Sequence, residues 1–118
     1  MIGGLAVAVS SPLNPDFDAT ASNPEQLLAL AWATCLNATA QAVVAGRRRT
    51  AVRVEVELHP SPSGSGYEFH VNAFLSAEGA STEETEGILT RSHARSPVSK
   101  LLAGSATVRV HPEAFHEA

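Results

Sequence analysis

Cys35 is the only cysteine in the chain and the residue best equipped for covalent chemistry. As a thiolate it is a nucleophile and a two-electron reductant; as a buried thiol it is an inert small hydrophobe. Taken alone, the position admits both readings. A single cysteine forms no intramolecular disulfide, so the redox state of this one sulfur becomes the variable of interest. The histidines, His70 and His93 among them, have neither ligand spacing nor a cysteine nearby, so neither a metal site nor a bound cofactor is expected.

The element that must position Cys35 runs from Asn23 to Gly46. Asn23 suits an N-cap, Pro24 fits the first helical position where a missing N–H costs nothing, and Gln26 stands where a capping-box partner would. Gly46 suits a left-handed residue after the last turn, and Arg47, Arg48 and Arg49 bring positive charge to the helix's negative end. Between these signals, Leu27, Leu28, Leu30, Ala31, Trp32, Leu36, Val43 and Val44 cover most of the circumference, where a surface helix would keep one face polar. A long helix buried nearly all round is predicted. Asn37 and Gln41 interrupt its apolar run, which argues against a membrane span.

The remaining elements follow in order. Leu5, Val7 and Val9 alternate in a predicted strand within 4–13, and the polar stretch 14–22 reads as a loop with Phe17 as its apolar anchor. Val52, Val54, Val56 and Leu58 alternate with Arg53, Glu55 and Glu57, while Tyr67, Phe69, Val71, Ala73 and Leu75 share a face. The two runs, joined by a turn rich in proline and glycine, predict an antiparallel hairpin. Ser81 and Glu84 form a capping-box signature for a surface helix to about Arg95. Ser96-Pro97 stops that helix, a short helical turn follows within 98–104, residues 105–111 form a last strand, and the tail is expected to be loose. The pattern is α+β, a single domain over 1–118, with an antiparallel sheet, a long buried central helix and a second surface helix.

Charge and composition narrow the function classes. A net charge of −4 gives no broad attraction for nucleic acid, and the one basic cluster is accounted for by a helix end. There is no signal segment and no membrane-length run, so a cytoplasmic setting is the expectation. One sheet covers only one side of a helix that is apolar all round, and the uncovered side predicts a homodimer.

Two motifs then point to a family. NPEQLLALAWATC, from Asn23 to Cys35, followed by SPVSK, from Ser96 to Lys100, resembles the OsmC/Ohr proteins, thiol-dependent organic hydroperoxide reductases. The resemblance spans roughly Leu5 to Val110 and implies an intertwined α+β homodimer, an organic hydroperoxide substrate, and Cys35 as the reactive thiol. Glu25 matches the family glutamate that orients a catalytic arginine. Two departures stand out. Ser96 occupies the position of the family's resolving cysteine, and the N-terminus is shortened relative to the family, beginning after the hairpin that contributes the arginine.

These departures bear directly on the chemistry. A sulfenic acid on Cys35 needs a second thiol to condense with, and a hydroxyl at Ser96 cannot serve, so an external thiol or dithiol must complete a one-cysteine cycle. Cys35 lies too far along its helix for the helix dipole to reach it, so if the thiolate is stabilised at all, the expectation is that a nearby cation does it. Arg95 is the first candidate, with Arg53 and Lys100 behind it. Glu25 stands about 15 Å from Cys35 along one helix, so it serves the site only across a dimer. Trp32, one turn before Cys35, belongs either to the core or to an apolar pocket for the substrate's tail. The alternative to an enzyme is a non-catalytic dimer of the same fold, serving as a binding or structural protein after losing the second thiol.

Overall fold

Helix α1 spans Pro24–Val43 in the computed structural model, which describes residues 2–116. Its N-cap is built as the sequence predicts, the Asn23 side chain accepting a hydrogen bond from the Gln26 N–H at 2.8 Å with Pro24 in the first turn, but among the described hydrogen bonds the Gln26 side chain does not reach back to close a capping box. The end is more compact than expected. Ala45, not Gly46, is the first left-handed residue (φ 54°), with Gly46 following at φ 67°. The Gly46 N–H bonds back to the Gln41 carbonyl and the Ala45 N–H to the Ala42 carbonyl, the double closure of a Schellman motif.

In a single chain α1 is covered on one side, as expected of a helix packed on one sheet. Trp32, Leu36 and Ala40, four residues apart, are fully buried and form one stripe against the core, whereas Leu30 is 62% exposed and Ala31, Thr34 and Ala38 lie open. Within one chain the helix therefore buries one face and presents a second apolar face outward.

The sheet has three strands in the order β1 (Thr50–Pro60), β2 (Tyr67–Ala77) and β3 (Val108–Pro112). β1 and β2 form the predicted antiparallel hairpin, with Val52 opposite Leu75, Val54 opposite Ala73 and Val56 opposite Val71. β3 runs parallel to β2, so the sheet is mixed, not wholly antiparallel. The reason is the connection: β2 reaches β3 through helices α2 (Thr82–Arg95) and α3 (Pro97–Leu102), and a crossover of that length returns a strand in the same direction. Val71, Ala73 and Leu75 at the centre of β2 join Trp32, Leu36 and Ala40 of α1 and Ile88 and Leu89 of α2 in one buried cluster.

The predicted strand within 4–13 does not form. Its one pairing among the described residues is a bridge between Val9 and Ser22, and Leu5, Val7 and Val9 are exposed. The tail is anchored where looseness was expected: the Glu113 N–H bonds to the Leu75 carbonyl, the Glu113 carboxylate pairs with Arg53, and Phe115 lies under the Arg49 guanidinium.

α2 begins with a complete capping box, the Ser81 hydroxyl accepting from the Glu84 N–H while the Glu84 carboxylate accepts from the Ser81 N–H. The backbone N–H of Ser81 holds the Glu84 carboxyl below the usual glutamate value of 4.5. A depressed folded-state value means that this contribution is present above 4.5 and disappears as pH falls through the folded-state value. Glu84→Gln keeps a side chain able to close the box but removes the titration. Its melting temperature is expected to fall less steeply than that of the unaltered protein on acidification from about pH 5 to about pH 3. Equal slopes in thermal melts across that range would contradict the assignment.

Candidate active site

Two helices meet at Cys35 with matched spacing. Trp32 and Cys35 stand three residues apart on α1 and project toward the same side; Ser96 and Ser99 stand three residues apart at the start of α3. The Trp32 indole N–H donates to the Ser99 hydroxyl at 2.9 Å, and the Cys35 sulfur lies 3.3 Å from the Ser96 hydroxyl. Trp32, Ser96 and Ser99 are fully buried and Cys35 is half-buried.

Ser96 owes its position to the backbone. It is the C-cap of α2, its N–H donating to the Ser92 carbonyl at 2.9 Å. It is also the N-cap of α3, its hydroxyl accepting from the Ser99 N–H and its carbonyl from the Lys100 N–H. Pro97 removes the N–H that would prolong α2 and starts α3 in the same step. One serine therefore closes one helix, opens the next and touches the cysteine.

Cys35 also forms part of the wall of an open groove of about 650 Å³. Leu27 and Leu30 of α1 and Leu5, Val7 and Val9 of the N-terminal segment supply most of that wall, and among the described residues no charged side chain contributes to it. Cys35 thus has the buried Ser96 hydroxyl beside its sulfur and belongs to a groove open to solvent.

The other residues singled out in the sequence lie elsewhere. Trp32 is in the core, and the groove wall is built without it. Glu25 is half-buried in the first turn of α1 and makes no ion pair among the described residues. Arg95 and Lys100 are exposed, and Arg53 is engaged by Glu55 and Glu113 and lies 3.9 Å from the Phe74 ring centroid. Among the described residues none of these three cations is hydrogen-bonded to the Cys35 sulfur, and no group of three or more metal-ligating side chains occurs. No helix among the described residues is long and apolar enough to cross a membrane.

Ser99 is the site residue the sequence reading left without a role. Its signal lay in the equal three-residue spacing of Trp32/Cys35 and Ser96/Ser99. Beside it, the Ser92 hydroxyl and the His93 Nδ1 are buried without a hydrogen-bond partner among the described residues, and the His93 ring centroid lies 6.2 Å from that of Trp32.

Known proteins place this arrangement in context. The chain is 33% identical over 91 residues to the organic hydroperoxide resistance protein OhrA of Bacillus subtilis strain 168, covering 75% of this chain but only 64% of that relative's length. A crystal structure of a candidate redox protein from Lactobacillus casei ATCC 334 superposes with a TM-score of 0.81 at 34% identity, over 98% of this chain and 80% of that one. The Bacillus subtilis organic hydroperoxide resistance protein OhrB shares the fold, with a TM-score of 0.72 at 23% identity, over 87% of this chain and 79% of that one. The family model for OsmC-like proteins matches residues 17–111, a span that holds α1, β1, β2, all of β3 but its last residue, and both Cys35 and Ser96, and on these findings the chain belongs to the OsmC-like protein family.

Proposed function

We propose that this protein reduces organic hydroperoxides in defence against oxidative stress, with Cys35 as the peroxidatic thiol. The observation that carries the reading is the placement of Cys35 on the wall of an apolar groove of about 650 Å³ that is open to solvent, a volume that suits an organic tail. The resemblance to a curated organic hydroperoxide resistance protein supports it.

The chemistry balances as follows. The Cys35 thiolate attacks the distal oxygen of the hydroperoxide, an S–O bond forms, the O–O bond breaks, and the leaving alkoxide takes a proton from water to become an alcohol. Two electrons pass from sulfur to the peroxide. The sulfenic acid then condenses with an external thiol, releasing water and leaving a mixed disulfide; a second thiol displaces Cys35 and departs as a disulfide. The external step is required because the chain has one cysteine and Ser96 supplies oxygen where a second sulfur would stand. Such a reductant is sustained by a reducing compartment, which suits a cytoplasmic setting.

Leu5, Val7, Val9 and Leu30, which wall the groove, are also the exposed apolar surface of the chain, so a second copy packed on this face, the occupant that fits the family fold, would close the open side of the groove and leave substrate and reductant an entry between the subunits. In such a homodimer Glu25 of one subunit reaches the Cys35 environment of the other, and helps to place a cation that the single chain does not bring to the sulfur. The lack of a second thiol favours one other reading, a non-catalytic dimer that keeps the fold for binding.

Two measurements separate these readings. Stoichiometric cumene hydroperoxide should add one oxygen to the intact protein, an adduct absent in Cys35→Ser and reversed by dithiol; no adduct would falsify the enzymatic reading. Sedimentation should give twice the 12.3 kDa chain mass. A monomer throughout the micromolar range would remove the basis for Glu25 acting across subunits.

A further inference from the structure

Resting on the peroxidatic role of Cys35, we propose that Ser96 is a catalytic hydrogen-bond donor to the Cys35 sulfur, and not merely a serine left where a thiol is missing. The Ser96 hydroxyl has a single proton to place. A serine hydroxyl has one proton and two lone pairs. The Ser99 N–H points at the Ser96 oxygen from 3.4 Å and takes up an acceptor site. The backbone N–H and carbonyl of Ser96 are engaged by Ser92 and Lys100. Ser96 is fully buried, and the Cys35 sulfur, at 3.3 Å, is the one acceptor within reach of its proton among the described residues.

That geometry selects between the two forms of the thiol. A neutral S–H can donate to the hydroxyl or accept from it, whereas a thiolate can only accept. Once Cys35 ionises, the Ser96 proton must turn toward sulfur, and a hydrogen bond to a charged acceptor is roughly twice as strong as one between neutral groups. The Trp32 N–H to Ser99 contact holds α3 against α1, so the donor is positioned before the reaction begins. Ser96 keeps its proton throughout the cycle. When the S–O bond forms, the same hydroxyl remains beside the sulfenic acid, and the groove that Cys35 lines is the route for the thiol that resolves it.

The test follows Cys35 alkylation by iodoacetamide as a function of pH, which reads the thiolate without requiring peroxide. Ser96→Gly removes the hydroxyl but leaves a residue well tolerated at an N-cap, so α3 is retained. Near neutral pH it should alkylate about tenfold more slowly, with the half-maximal rate moved to higher pH. Ser96→Thr, which keeps the hydroxyl, should stay within about threefold of the unaltered protein. An unchanged profile in Ser96→Gly, or an equal loss in both variants, overturns the proposal. A parallel reaction with cumene hydroperoxide keeps the two readings apart: Ser96-dependent alkylation without any peroxide adduct would leave the role of Ser96 intact and remove the proposed function.

Discussion

The paired contact between α1 and α3 is the constraint on which the site depends. Trp32 and Cys35 on one helix meet Ser99 and Ser96 on the other, and the first pair fixes the second. Trp32 is fully buried in the core with Leu36 and Ala40, so its indole N–H can be satisfied only by a partner delivered to that spot. Ser99 is that partner. The energetics of the core therefore place the start of α3, and the start of α3 places the Ser96 hydroxyl beside the sulfur. The chemistry is held by packing that would be needed in any case.

The same arrangement explains why so short a connection carries so much. Ser96-Pro97 ends α2 and starts α3 without an intervening loop, which keeps the Ser96 backbone in hydrogen bonds on both sides and its side chain in a single position. Cys35 has a polar, buried neighbour in Ser96 and contributes to an apolar, open groove. The proposed peroxidatic role calls for both, because a thiolate requires fixed donors while substrate and reductant require access.

Local signals made much of the fold legible. Asn23-Pro24, Ser81 with Glu84, and the alternation of Val52, Val54 and Val56 each name a cap or a strand through interactions within a few residues, and each appears as predicted. Non-local features were harder to read. The parallel direction of β3 followed from the length of the helical crossover, not from the residues of the strand itself. The alternation of Leu5, Val7 and Val9 is real, but alternation makes a strand only where a sheet edge is available, and here only Val9 finds a bridge. The apolar residues around α1 exceed what one chain covers: Trp32, Leu36 and Ala40 are buried while Leu30 stays open, on the side that the sequence assigns to a second subunit. Cys35 and Ser96 lie 61 positions apart, and only resemblance to a family joined them before the structure did. The cation assignments had no such guide. Arg95 adjoins Ser96 in sequence, but nearness in sequence does not set the direction of a side chain, and that of Arg95 lies at the surface.

The central claim is that Cys35 works without a second thiol in its own chain. The most direct measurement is intact mass on protein oxidised by hydroperoxide and then given one equivalent of a small monothiol, followed by excess. A mixed disulfide at Cys35 that forms in the first step and disappears in the second, restoring the free thiol, is the predicted result. Oxidised protein that takes up no thiol, or that retains its oxygen in excess thiol, would contradict the account.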